Sequence, residues 1–137
     1  MPMITIQVAG EPSVALARDI AESVSSLTAR ILGKDPGVTS IAVDFVPKRF
    51  WFIAGKSAED HAKGTFFLDV RISDGTNTKD EKARYVAAVF AAMGKLLGDL
   101  HEESYVHVDD ARADAYGYGG LTQERRYIEG RARPTAQ

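Results

Sequence analysis

Apolar and polar residues alternate over residues 4–8, which predicts a half-buried β-strand near the start of the chain. Pro12 suits the first turn of a following helix and Gly33 suits its end. The apolar positions of this helix recur at helical spacing and form one stripe. They are Leu16, Ile20, Val24, Leu27 and Ile31. Alternation returns over residues 41–45 and predicts a second strand that ends before Pro47.

The same order of elements returns in the second half of the chain. Alternation over residues 66–72 and again over residues 105–109 predicts two more strands. Between them, Thr78 and Glu81 have the spacing of a capping box, in which a hydroxyl and a carboxylate satisfy free amides at a helix start. The apolar stripe predicted for this helix consists of Val86, Val89, Phe90, Met93, Leu96 and Leu97.

Corresponding features of the two halves are separated by the same number of residues. Gly33 and Gly98 end the two predicted helices, and Trp51 and Tyr116 at the same separation lie in two short aromatic-glycine segments. We therefore predict one domain of two repeats, about 2–55 and 66–120. A charged link covers 56–65, and a tail covers 121–137, loose from about residue 129.

Each repeat contains two strands joined by a long helix, and strands joined in this way are parallel through a right-handed crossover. Two such βαβ units side by side give a four-stranded sheet with both helices on one face, so the predicted fold class is α+β. The opposite face of the sheet stays uncovered. Because its residues are not uniformly polar, we expect self-association to bury it.

The composition is that of an ordinary soluble domain, with 45% hydrophobic and 26% charged residues. A formal net charge of -2 without a long basic run argues against a nucleic-acid partner. The absence of cysteine excludes disulfides and thiol chemistry. The apolar stretches are too short to cross a bilayer, and the sequence predicts no membrane association and a cytoplasmic location. The three histidines lack the spacing of metal ligands, so we expect neither a metal nor a cofactor.

Pro2 stands directly before the first predicted strand. An initiator methionine before proline is normally removed, which would leave Pro2 with a free secondary amine. Terminal amines have the lowest pKa of the basic amines in proteins, and burial or a nearby cation lowers it further. We therefore identify Pro2 as a candidate general base or nucleophile at physiological pH.

Four features in this order resemble the tautomerase superfamily, and most closely a fused form of 4-oxalocrotonate tautomerase. They are Pro2 with its strand, WFIAG at 51–55, GTNTKDEKA at 75–83 and ADAYGYGGLTQ at 113–123. The resemblance covers residues 2–126. It implies a tautomerase/macrophage migration inhibitory factor-like fold, a homotrimer and a cofactor-free isomerase. In such an enzyme Pro2 moves a proton on a small 2-oxo or 2-hydroxydienoate acid.

The chain departs from this family at the arginines that hold substrate carboxylates. The first arginine is replaced by Glu11 or Pro12 in the first repeat and by Asn77 in the second. The second is replaced by Ser40 and Tyr105. These losses favour a monocarboxylate or a neutral carbonyl compound over a dicarboxylate. The place of the proline in the second repeat is taken by a phenylalanine, so the resemblance implies one catalytic amine per chain.

Four residues are candidates for contact with this substrate. Trp51 and Tyr116 match the family's aromatic wall, with core packing as the alternative. Free amides at the helix start formed by Asn77 and Thr78 would stabilise an oxyanion. The alternative is that these two residues only cap the helix. The hydroxyl of Tyr105, where the family has arginine, would donate to a substrate oxygen.

Arg71 is the fifth candidate, and it lies on the strand face opposite the apolar residues. A charged residue there needs a partner, and pairing with Asp69 is favoured over substrate binding.

Two further functions stay open. One is hydratase, dehalogenase or decarboxylase chemistry of the same superfamily. The other is a trimeric binding protein without catalysis, which the loss of both family arginines motivates.

Overall fold

Two βαβ units make up most of the computed structural model, which describes residues 2–132. The first unit and its hairpin contain β1 (Met3–Ala9), α1 (Val14–Leu32), β2 (Ser40–Val46), β3 (Phe52–Ile53) and β4 (Lys56–Ser57). The short helix α2 (Ala58–His61) leads to the second unit. The second unit and the elements after it are β5 (Phe66–Ser73), α3 (Lys79–Leu97), β6 (Tyr105–Ala111), β7 (Gly117–Tyr118), β8 (Leu121–Thr122) and α4 (Gln123–Ala132).

The four long strands form one sheet in the order β2-β1-β5-β6. β1 is parallel to β2 and β5 is parallel to β6, as the βαβ pattern predicts. The two units meet in the centre, where β1 is antiparallel to β5 and Ile4 lies opposite Val70. The α+β prediction is therefore confirmed. The antiparallel contact also places the start of β1 beside the end of β5.

Both long helices begin at a side-chain cap. The hydroxyl of Ser13 accepts a hydrogen bond from the Leu16 amide at 3.2 Å, so α1 begins after Ser13. Pro12 lies before this cap, and its predicted place in the first helical turn is wrong. At α3 the capping box is present as predicted, because Thr78 and Glu81 each accept a hydrogen bond from the other's amide.

The core lies between the sheet and the two helices, and α3 faces it differently from the predicted stripe. Its fully buried residues are Tyr85, Val89 and Met93, whereas Val86 and Phe90 are 39% and 37% exposed. The prediction of Val86 and Phe90 as buried is therefore wrong. Val89 and Met93 are buried as predicted, and Tyr85 joins them because its ring enters the core and its hydroxyl finds a partner 2.8 Å away, the hydroxyl of Thr28.

The uncovered face of the sheet carries contacts between polar side chains of neighbouring strands. Arg71 lies in register with Asp109, and its Nε is 3.7 Å from the Asp109 carboxylate. Asp69 instead lies in register with His107, and its Oδ1 is 3.6 Å from Nδ1 of His107. The predicted pairing of Arg71 with Asp69 is therefore wrong. The side chain directly opposite on the neighbouring strand lies closer to Arg71 than the side chain two residues away on its own strand.

Two segments contain more regular structure than predicted. The link at 56–65 holds β4, which pairs with β3, and the helix α2. The helix α4 extends through residues 129–132, part of the predicted loose tail, and the rest of that tail lies outside the described residues. In the described part of the chain, none of the helices combines the length and the apolar character needed to cross a membrane.

Candidate active site

A cleft of about 830 Å³ opens beside Pro2 at one end of the sheet. This is the end where β1 and β2 begin and where β5 and β6 finish. The residues that line the cleft are Pro2, Met3, Gly37, Val38, Thr39, Ser40, Arg71, Ala115, Tyr116, Gly117 and Tyr118. Three residues predicted from the sequence, Pro2, Arg71 and Tyr116, therefore meet in one place.

Pro2 is buried at the edge of the cleft, and the backbone that follows it is held by two hydrogen bonds. Its carbonyl oxygen accepts a hydrogen bond from the Ser40 amide at 3.1 Å, which ties it to the start of β2. The next amide, that of Met3, donates to the hydroxyl of Tyr116 at 2.9 Å. These contacts fix the position of the proline ring relative to the cleft wall. Met1, whose removal the sequence predicts, lies outside the described residues.

Tyr116 connects three parts of the site through its hydroxyl. Besides accepting from Met3, this hydroxyl donates to the carbonyl oxygen of Arg71 at 3.3 Å. Burial raises the pKa of Tyr116, while the Met3 amide and the charge of Arg71 oppose the rise. The hydroxyl is therefore protonated at physiological pH, so it keeps a proton to donate to the backbone carbonyl of Arg71.

Arg71 is the only charged residue among the described residues that line the cleft. Its side chain is 57% exposed, and its ion pair with Asp109 is long and partly in solvent. Such a pair contributes little and leaves guanidinium donors available to a ligand. A carboxylate is the group that a planar guanidinium binds best, through two parallel hydrogen bonds.

Trp51 and Tyr105 lie at the opposite end of the sheet. Trp51 follows the end of β2, and Tyr105 begins β6. The hydroxyl of Tyr105 donates to the Glu103 carboxylate at 2.6 Å, and this hydrogen bond raises the pKa of Tyr105. Neither residue lines the cleft beside Pro2, so a role in this cleft would require a second chain.

Asn77 lies near the Pro2 end of the sheet, but its side chain is committed to the fold. Its amide nitrogen donates to the carbonyl of Leu32 at 2.9 Å and to the Glu81 carboxylate at 3.2 Å, joining the end of α1 to the start of α3. The Thr78 amide donates to Glu81 at 2.8 Å. The Thr78 amide is therefore part of the helix cap, which is the alternative that the sequence left open, and an oxyanion site at the other amides of this helix start stays a prediction.

Three polar or aromatic residues of the cleft, Thr39, Ser40 and Tyr118, were not identified as site residues from the sequence. Tyr118 follows Tyr116 by two positions in the same aromatic-glycine segment, and this alternation was the available signal. Thr39 precedes Ser40, which stands at the place of a family arginine. It enters the cleft because the turn at Pro36–Val38, fixed by Asp35, delivers the chain to β2.

The described residues contain no group of three or more histidine, aspartate or glutamate side chains arranged to hold a metal. His61 and His101 do contact each other, with ring centroids 4.8 Å apart. One ring nitrogen of each also has a partner, because Nε2 of His61 contacts the Ile53 carbonyl and Nδ1 of His101 accepts from the Glu103 amide. These contacts account for the pair as packing between the last residue of α2 and the loop before β6.

No protein-family model and no curated protein sequence matches this chain, whereas many solved structures share its fold. A fused 4-oxalocrotonate tautomerase, described as a wild-type symmetric trimer, superposes with a TM-score of 0.77 at 15% identity, over 90% of this chain and 98% of that one. A protein crystallised after inactivation by 2-oxo-3-pentynoate gives 0.77 at 17% identity, over 89% and 97%. A macrophage migration inhibitory factor-like protein from Entamoeba histolytica gives 0.73 at 15%, over 88% and 97%.

The chain therefore has the tautomerase/macrophage migration inhibitory factor-like fold. Within that fold it resembles the fused form of 4-oxalocrotonate tautomerase, with two βαβ units in one chain, and the match covers almost the whole of the compared chains. The resemblance predicted from the sequence is confirmed at the level of the fold.

Proposed function

We propose that this protein is a cofactor-free tautomerase in which Pro2 serves as general base and general acid. The observation that carries the proposal is the position of Pro2, buried at the edge of an open cleft with its backbone held from two sides. A fixed ring keeps its nitrogen at one place relative to a bound substrate, and such positioning accounts for much of enzymatic rate enhancement.

The chemistry requires an uncharged amine. Burial of Pro2 and the positive charge of Arg71 in the same cleft both favour the neutral form of an amine. Once Met1 has been removed, the nitrogen of Pro2 takes a proton from the carbon next to the carbonyl of a 2-oxo acid. The electron pair of that C–H bond forms a new carbon–carbon double bond, and the π electrons of the carbonyl move to its oxygen and give an enolate. The ammonium of Pro2 then returns the proton to oxygen, or to another carbon of a conjugated substrate.

The charge in the cleft suggests the class of substrate. Arg71 can hold one carboxylate, and the described lining offers no second cation for another. The remaining polar groups, including the hydroxyls of Thr39 and Ser40, suit a neutral oxygen. We therefore propose a small monocarboxylate, either a 2-oxo acid or a 2-hydroxydienoate, as the substrate. The guanidinium would also stabilise the charge of the enolate.

A homotrimer is part of the proposal. The fused 4-oxalocrotonate tautomerase is described as a trimer. In this chain, the described residues do not cover the sheet face opposite the helices. In a trimer, Trp51 or Tyr105 of a neighbouring chain could approach the cleft, which keeps their predicted role in substrate binding open.

The test is ketonisation of phenylenolpyruvate, followed by ultraviolet absorbance, with wild type and Pro2→Ala. Intact mass spectrometry of the same samples establishes whether Met1 has been removed. We expect a wild type without Met1 to be active and Pro2→Ala to lose at least about a hundredfold, the usual contribution of a general base. Equal rates for the two proteins would refute the role of Pro2.

A second measurement does not depend on turnover. Incubation with 2-oxo-3-pentynoate, followed by peptide mass spectrometry, should place a covalent adduct on the N-terminal peptide of wild type. An adduct elsewhere in the chain, or the same labelling in Pro2→Ala, would contradict a nucleophilic Pro2. An inert wild type that retains Met1 would favour a binding protein without catalysis.

A further inference from the structure

The helix α4 is built onto the wall of the cleft. Its first two amides donate to backbone carbonyls that precede β7: Gln123 to Tyr116 at 2.8 Å and Glu124 to Ala113 at 3.0 Å. Gln123 is also almost fully buried, at 8% exposure. The start of α4 and the hairpin formed by β7 and β8 therefore move as one piece, and the sequence alone assigned this region to a tail.

Arg126 connects α4 to Tyr118 on the same hairpin. Its Nη2 donates to the Tyr118 carbonyl at 2.8 Å, and its guanidinium carbon lies 3.9 Å from the centre of the Tyr118 ring. The Nε of Arg126 is sealed from solvent and has no hydrogen-bond partner among the described residues. A loose surface arginine would turn this donor to water, so its burial indicates a guanidinium held by packing.

The hairpin is shaped to admit this arginine. Gly119 has a left-handed backbone with φ of 61°, and a Cβ at this position would lie 2.7 Å from Nη2 of Arg126. A Cβ on Gly117 would collide with the Leu121 backbone across the hairpin. Glycine at both positions lets the hairpin close tightly while the guanidinium lies against it.

Tyr118 lines the cleft, so a contact that fixes its ring also fixes the shape of the wall. We propose that Arg126 is a positioning residue of the active site, which acts on the substrate through Tyr118. Cation–π stacking and one hydrogen bond to a charged donor hold the ring in place, so an incoming planar substrate meets a preformed wall. The proposal rests on the proposed function, because it concerns the same cleft.

The test compares Arg126→Ala with Arg125→Ala. Arg125 is the neighbouring residue of α4, and its side chain pairs with Glu129 at 3.2 Å in the same helix. With phenylenolpyruvate we expect Arg126→Ala to raise KM about fivefold and to change kcat less than about twofold, because a preformed wall contributes to binding throughout the reaction. Arg125→Ala should match wild type. Equal KM values for wild type and Arg126→Ala would overturn the proposal.

Two further variants separate positioning from general damage to the fold. Arg126→Lys keeps the charge but loses the planar group, so KM should lie between wild type and Arg126→Ala. In Tyr118→Leu the ring is already gone, and adding Arg126→Ala should raise KM by less than about twofold more. Full additivity in this double variant would mean that Arg126 does not act through Tyr118, and would refute the proposal.

Hydrogen exchange makes the inference independent of catalysis. The amides of Gln123 and Glu124 should exchange about tenfold faster in Arg126→Ala than in Arg125→Ala, since their acceptors lie beside the hairpin. A wild type that turns over nothing, indistinguishable from Pro2→Ala, would reject the proposed function. The role of Arg126 in holding the wall would then be decided by exchange alone, and unchanged exchange would reject it.

Discussion

Replacing Tyr116 by phenylalanine is the most direct test of how the site is assembled. The change removes one oxygen and leaves the ring. That oxygen accepts from the Met3 amide at 2.9 Å, and Met3 directly follows the catalytic candidate Pro2. Without it, the half-buried Met3 amide loses this acceptor, and of the two hydrogen bonds described beside Pro2 the one from the Ser40 amide remains.

The size of the effect follows from the cost of the unpaired amide. Leaving a buried donor without a partner costs about 1–3 kcal/mol. If the chain avoids this cost by shifting Pro2, the proline must be brought back for the reaction, so the same energy is added to the barrier. Because about 1.4 kcal/mol is a factor of ten in rate, kcat/KM for phenylenolpyruvate should fall by about five- to 150-fold. If the chain does not shift, the free energy of unfolding should fall by about 1–3 kcal/mol instead.

The matched control is Tyr127→Phe, the same chemical change on the exposed side of α4, where the tyrosine is 64% exposed. Steady-state rates and urea denaturation of both variants separate the two effects. We expect Tyr127→Phe to stay within about twofold of wild type in kcat/KM and within about 0.5 kcal/mol in stability. A Tyr116→Phe variant equal to wild type in both measurements would refute the claim that this hydroxyl positions Pro2.

Three further predictions concern single contacts. Burial raises the pKa of Tyr85 to about 12 from 10.0, with the hydrogen bond to Thr28 opposing the rise. The unfolded state therefore releases this proton first as the pH rises, and wild type should lose about 1.4 kcal/mol through Tyr85 between pH 8 and pH 11. Tyr85→Phe should be about 1 kcal/mol less stable than wild type in urea at pH 8 and equal to it near pH 11, whereas a constant difference would contradict the burial of the hydroxyl. Asn77→Ala should lower the free energy of unfolding by about 1 kcal/mol without changing kcat/KM, and a selective loss of activity would instead show a role in substrate binding. Arg71→Gln should raise KM for a 2-oxo acid about tenfold, and an unchanged KM would show that Arg71 does not hold the carboxylate.

The helices and strands could be predicted because their signals are local. Alternation sets the strand faces, and the Thr78–Glu81 box marks the start of α3 within four residues of sequence. The burial of Tyr85, with Val86 and Phe90 left exposed, could not be predicted in this way. Tyr85 reads as a polar aromatic, and it becomes a core residue only because Thr28, on another helix, supplies a partner for its hydroxyl.

The candidate site was predicted only in part, because several of its contacts join residues that are distant in sequence. Pro2 and Tyr116 could be identified from the sequence through the resemblance to a family. The partner of Arg71 depends on the register of β6, which places Asp109 beside it and Asp69 two residues away on its own strand. The contact between Arg126 and Tyr118 depends on how α4 folds back over the hairpin, and a low-hydrophobicity sequence gave no periodic signal for that helix.

The antiparallel contact between β1 and β5 explains why the two repeats have different roles. It places the start of β1 beside the end of β5, so the hairpin of the second repeat closes the cleft around Pro2. Tyr116 reaches the Met3 amide across 113 positions of sequence. The hairpin of the first repeat, with Trp51, lies at the other end of the sheet, where the second repeat begins with Phe66 in place of a proline. If Pro2 is the base, the first repeat supplies the amine and the second supplies the cation and the aromatic wall. Neither repeat alone then contains a complete site, and a chain cut between them should be active only when both pieces are combined.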